Sequence, residues 1–145
     1  IKKAADYGAT DELKAAAMRQ KSIYRASAID CLRKIIITNS FDVPRNDLLN
    51  ILIDVMANGA LIAQIAAANC AEFVKNEEKF IEFINKIYEK MYSVDLDNVD
   101  AFCKLVLNLP PHEIPDLFDK QKFIKLVAPS KDKTENIEKF LAKIK

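Results

Sequence analysis

Residues 60–74, ALIAQIAAANCAEFV, leave a folding chain few options. Twelve of these fifteen residues are apolar or small, and only Gln64, Asn69 and Glu72 are polar. At about 100° per residue those three fall within an arc of roughly 140° on a helical cylinder. The rest of the girth is Ala, Ile, Leu, Cys, Phe and Val, so other helices must cover it on two or three sides. Alanines at 60, 63, 66, 67, 68 and 71 let neighbouring axes approach closely. The spacing predicts one continuous helix over 60–74, the most buried of the chain, with a narrow polar edge on an open face. Such an element suits a binding module and shows no sign of catalysis.

The remainder of the chain agrees with a helical stack. At 145 residues it is one domain, 1–145, or a piece of a longer array, and long enough to bury a real core. Half of the residues are hydrophobic and 30% charged, the balance of a soluble globular protein. With two glycines, no tryptophan and no alternation of β-branched with polar residues, strands are not expected. A formal net charge of +1 gives no bulk attraction to nucleic acid or an anionic membrane. No apolar run approaches the ~20 residues of a membrane span. The chain starts at Ile1 without a signal-peptide layout, so a fragment of a larger intracellular protein, cytoplasmic or nuclear, is expected.

Capping residues and breakers mark the helices. Thr10-Asp11-Glu12 reads as a start, with acids where the helix dipole favours them, and the pattern runs to about Gln20. Ser22 opens a second helix through Ile37, and Asn39 to Asp42 forms a turn. Asp42 and Pro44 begin a third, which Asn58-Gly59 stops, Gly59 being free to take a positive φ. Beyond the central helix, Glu77 and Glu78 lead a segment with Phe80, Phe83, Ile84, Ile87, Tyr88 and Met91 on one face. Asp95 or Asp97 caps a further helix that Pro110-Pro111 ends. Asp116 or Asp119 starts another that Pro129 closes, and Thr134 caps a last one carrying Ile137, Phe140, Leu141 and Ile144. Phe73, Phe80, Phe83, Phe102, Phe118, Phe123 and Phe140 fall on apolar stripes and belong to the core.

Three segments align: 28–36, AIDCLRKII; 64–72, QIAAANCAE; and 102–110, FCKLVLNLP. Asn69 and Asn108 hold matching places 39 residues apart, with Lys34 one unit earlier. A period of this size in an all-helical chain marks a solenoid. The run Ala66-Ala67-Ala68-Asn69-Cys70-Ala71, and Leu105-Val106-Leu107-Asn108-Leu109 after it, resembles the inner helices of the armadillo family. That resemblance covers about residues 22–128. It implies a right-handed α-solenoid of about three armadillo- or HEAT-like repeats, with seven to eight helices. It also implies that the asparagines lie on a concave face and bond the main chain of an extended peptide, for which an amide offers donor and acceptor together. Where peptide-binding arrays often carry tryptophan, four residues before the asparagine, this chain has Asp30, Ile65 and Lys104. A nuclear-import receptor is therefore disfavoured, while the HEAT class, which needs no strict asparagine, stays open.

Chemistry finds little support. Cys31, Cys70 and Cys103 lie 39 and 33 residues apart in apolar patterns, and His112 is the single histidine, so buried free thiols without metal are expected. A cysteine nucleophile lacks a base close in sequence, and acid pairs such as Glu77/Glu78 stand at helix starts where capping explains them. No enzyme activity and no cofactor are expected. The expected function is a protein–protein interaction module, a scaffold or adaptor, that receives an extended peptide or partner helix along Asp30, Lys34, Ile65, Asn69, Lys104 and Asn108. The alternative is a helical adaptor associated with RNA or the transcription and RNA-processing machinery, which would need a one-sided basic stripe.

Overall fold

A computed structural model describes residues 9–18, 22–92, 96–130 and 133–144. All regular structure among them is helical: α1 (Ala9–Ala17), α2 (Ser22–Thr38), α3 (Arg45–Asn58), α4 (Leu61–Ala68), a 3-10 turn (Ala71–Phe73), α5 (Phe80–Lys90), α6 (Leu96–Leu107), α7 (Lys120–Val127) and α8 (Glu135–Ile144). No helix among the described residues is long and apolar enough to cross a membrane. The chain divides into two compact units, 1–83 and 84–145, with the boundary inside α5.

In the first unit α1 packs on α2, α2 and α3 both pack on α4, and α1 also meets α3. The three-and-four spacing on α2 and α3 buries Ile29, Leu32, Leu48, Leu49, Leu52, Val55 and Met56. Helix α2 ends in a Schellman motif. Asn39, at φ 52°, donates its N–H to Ile36 O at 3.1 Å, and Ser40 N–H reaches Ile35 O at 3.2 Å. Pro44 stands at the N-cap of α3, its carbonyl accepting from Leu48 N–H at 3.1 Å, one place earlier than the first helical turn.

The central stretch departs from expectation. It is not one helix over 60–74: α4 stops at Ala68 and the chain tightens into successive i→i+3 bonds, Cys70 N–H to Ala67 O, Phe73 N–H to Cys70 O and Val74 N–H to Ala71 O. The reason is the spacing of what is buried. Ala68, Ala71 and Val74 are all buried at intervals of three. A 3-10 turn stacks i over i+3, whereas an α-helix would rotate the last of them away from the core. Gln64 also differs from its expected place on an open edge. It is 6% exposed, and its Nε2 donates to Met56 O at 3.3 Å and Gly59 O at 3.1 Å. Its amide thereby satisfies carbonyls freed at the end of α3.

Gly59 does stop α3, but with φ −86° rather than a positive angle. What requires glycine is proximity: a Cβ there would lie 2.6 Å from Val55 O and 3.1 Å from Val55 Cγ1. Helix α1 ends at Ala17, short of the expected Gln20, which with 19–21 lies outside the described residues.

The second unit is built on aromatic rings. Tyr88 contacts Phe118 edge-on at 5.2 Å and Phe140 at 6.4 Å, and Phe123 meets Phe140 edge-on at 5.1 Å. Helix α6 packs on α8, adding Val99, Phe102, Val106, Ile137 and Ile144 to this core. The start of α7 is capped as expected, Asp119 Oδ1 accepting from Lys122 N–H at 2.9 Å. Thr134 Oγ1 accepts from Ile137 N–H at 3.3 Å at the start of α8. Asp95 lies outside the described residues, and Asp97 falls within the first turn of α6 rather than before it.

Candidate functional site

The residues expected to line a groove fall in both units. Asp30 and Lys34, four apart on α2, are exposed. Ile65, half-buried on α4, stands four residues before Asn69, the first residue past the end of that helix. Lys104 and Asn108 repeat this spacing in the second unit, where Asn108 is again the first residue past the end of α6. Both asparagines are exposed, and neither side-chain amide has a partner among the described residues. Their backbone N–H groups close the last helical turns, Asn69 on Ile65 O at 3.1 Å and Asn108 on Lys104 O at 3.2 Å. Lys34, by contrast, lies inside α2 rather than past its end.

Within the first unit the electrostatics tie two helices together. Burial pushes the Cys70 thiol up to about 12, while Arg33 pulls it down and Asp30 pushes it further up. Asp30 and Arg33 of α2 thus both act on the thiol that follows the end of α4. Lys34 lies one turn after Asp30 on the same exposed side of α2, and Ile65 lies one turn before Asn69.

One residue of this edge escaped the sequence pattern. Ile62 is 55% exposed. It lies three residues before Ile65 and seven before Asn69, so all three share a face of α4 and its extension. That spacing was present in the sequence, but an isoleucine in an apolar run reads as core. On the other faces Ala63, Gln64, Ala66, Ala67 and Ala68 are buried.

The cysteines separate into two kinds. Cys70 and Cys103 are buried, and burial pushes each thiol up to about 12. Cys31 is exposed on α2, correcting the expectation that all three are buried. It shares the outer side of α2 with Lys34 and with Tyr24, which is 60% exposed.

Two further features lie away from this edge. A cleft of about 330 Å³ between α1 and α3 is lined by Lys14, Ala15, Met18, Asp47, Asn50 and Ile51. Lys14 is fixed there by Asp47 at 3.2 Å and Asp11 at 3.3 Å; burial opposes its charge, but the two carboxylates outweigh it and hold its pKa above the ordinary lysine value. Deeper in the unit, Arg25 is fully buried, donating through Nε to Ala17 O and through Nη2 to Asp54 Oδ2. Its Nη1 has no partner among the described residues. Among those residues no group of three or more His, Cys, Asp or Glu could hold a metal ion.

No protein-family model matches the chain, and neither a curated protein nor a solved structure matches it.

Proposed function

We propose that the chain is a protein-interaction module, a scaffold or adaptor, that receives an extended peptide along the edge formed by Ile62, Ile65 and Asn69. The observation that carries this reading is the contrast on α4. A helix otherwise buried in alanine presents two isoleucines and a free amide in one row. Exposed apolar side chains grip a partner by area, and an unengaged amide pairs with a peptide unit through donor and acceptor together. Asp30 and Lys34 would flank such a segment and select charged side chains on it. In the same reading the helices form an armadillo- or HEAT-like array, and Lys104 and Asn108 are the equivalent contact of a later repeat. The support for that is the 39-residue spacing of two exposed asparagines, each one residue past a helix end.

The test is a selection of unstructured peptides from a random library on the full chain. Dissociation constants then follow for wild type, Asn69→Ala and Ile62→Asp, with urea unfolding of each. Loss of an amide that pairs with a peptide main chain should cost about 1–2 kcal/mol of binding, near tenfold in Kd, with stability unchanged. Ile62→Asp should remove binding and leave folding intact. Peptides that bind both variants as tightly as wild type would rule the edge out.

A further inference from the structure

Helix α7 reverses the charge pattern of its neighbours. The first turns of α1, α3, α5 and α8 each carry an acid, as the helix dipole favours. The first turn of α7 has none and places Lys120 and Lys122 there, against the dipole. Residues 120–131 hold four lysines and no acid. Lys120, Lys122 and Lys125 are exposed, and none forms an ion pair among the described residues. Phe123 and Val127 are buried on the inner side of α7, so Gln121, Lys122 and Lys125 make its outer face.

Beside that face stands an aromatic ring. Tyr92, half-buried, stacks on Phe118 at 5.6 Å with the ring planes 19° apart. Lys122 Nζ lies 4.6 Å from the centre of the Tyr92 ring. Phe118 is in turn buried against Tyr88, Phe123 and Phe140, so the Tyr92 ring rests on a packed support. We propose that Tyr92 and the outer face of α7 bind single-stranded nucleic acid, one base stacking on the ring and the adjoining phosphates meeting Lys122, Lys125 and Lys120. All four residues belong to the second unit and owe nothing to the peptide edge of the first.

The chemistry selects this occupant. A formal net charge of +1 gives no bulk attraction to a polyanion, but an acid-free run of lysines supplies it locally. Lys122 and Lys125, three apart on one helix, are neighbours on its surface. A lysine over a solvent-exposed ring is weakly held, and a phosphate draws it into a stronger charge-assisted contact that leaves the ring to a base. Every base has a face to stack, but only an unpaired one can present it, which selects single strands. An acidic peptide would match the lysines and leave the ring unused. An anionic membrane finds no large apolar side chain on the outer face of α7 to enter its acyl layer. Asp116 and Asp119 are exposed where α7 begins, Asp119 accepting from Lys122 N–H, so the strand runs from Tyr92 toward Lys125 and away from them.

The test titrates the full chain into fluorescent oligouridylate and oligothymidylate of about ten nucleotides, followed by anisotropy, with an oligoglutamate peptide as competitor. Wild type is compared with Tyr92→Leu and with the double variant Lys122→Gln/Lys125→Gln. Each lysine matched to a phosphate of a single strand contributes about 0.7 to the slope of log affinity against log salt. With three such lysines, wild type should lose about twentyfold in affinity between roughly 50 and 200 mM NaCl, and the double variant about threefold from a weaker start. Tyr92→Leu should weaken binding about fivefold or more and leave the salt response unchanged. RNA and DNA strands that bind alike show that phosphate and base suffice, and a preference between them adds the sugar; either supports the assignment. Absence of binding to both strands at low salt, or affinity unchanged in the double variant or in Tyr92→Leu, overturns it. Oligoglutamate that competes as well as an unlabelled strand also overturns it and gives the face to an acidic protein segment. If Tyr92→Leu proves poorly folded, the double variant and the oligoglutamate competition decide.

Discussion

Arg25 shows what a buried charge asks of its neighbours. Its guanidinium lies in the core of the first unit, neutralised by Asp54, with the Ala17 carbonyl taking Nε and one nitrogen unpartnered. Asp54 is itself held by Asn58 Nδ2 at 3.0 Å and is 31% exposed on its side chain, so most of the desolvation falls on the arginine. Asp54→Ala strands the cation and should cost about 3 kcal/mol in urea unfolding. Arg25→Met in the Asp54→Ala background removes the stranded charge and should recover a large part of that loss. A double variant less stable than Asp54→Ala would show that the arginine is held by its packing instead. The thiols make a second residue-scale prediction. Thiolate is the reactive form, and burial keeps Cys70 and Cys103 protonated up to about 12. One of the three cysteines, Cys31, should react with a disulfide reagent in the native chain at pH 8 (roughly the ordinary thiol range), and the other two only after denaturation. Native labelling of Cys70 at the rate of Cys31 would contradict its burial.

At the scale of elements, capping chemistry and amphipathic faces could be read ahead, and contacts set by other elements could not. Asp119, Thr134, Pro129 and the Asn58-Gly59 pair each act within one turn of themselves, and the bounds of α3, α7 and α8 follow them closely. The end of α4 has no such marker. It depends on Ala68, Ala71 and Val74 meeting the same neighbours at intervals of three, a condition set by helices elsewhere in the chain. Gln64 and Arg25 were illegible for the same reason, because their acceptors come from other elements. The exposed asparagines of the candidate edge were legible as polar breaks in apolar runs, whereas Ile62 was hidden by being apolar. Gly59 joins both cases: its type was readable and its cause was not. Gly59→Ala should destabilise the chain by about 1–3 kcal/mol, since the new methyl meets the Val55 carbonyl and not a movable side chain. An Ala variant with an unchanged urea midpoint would mean that the α3–α4 join shifts freely to make room.

Across the whole molecule, α5 is the element that both compact units draw upon. Its first turn gives Phe80 and Phe83 to the first unit, where their rings meet at 6.4 Å. The rest gives Ile84, Ile87 and Tyr88 to the second, each essentially inaccessible to solvent. The second unit has no comparable replacement for them, because Phe118 and Phe140 both rest on Tyr88, and Phe123 rests on those two. Removing a large buried side chain from a core costs about 2–5 kcal/mol, against a total stability of about 5–15 kcal/mol for a domain. Losing three such groups should therefore exceed what a unit this small can spare. A fragment of residues 79–145 keeps the complete helix and should retain a cooperative thermal transition with the near-ultraviolet dichroism of packed tyrosines. A fragment of residues 91–145 should lack both and show little helical signal. If the shorter fragment melts cooperatively like the longer one, the aromatic cluster holds together without Tyr88, and α5 serves the second unit as a neighbour and not as part of its core.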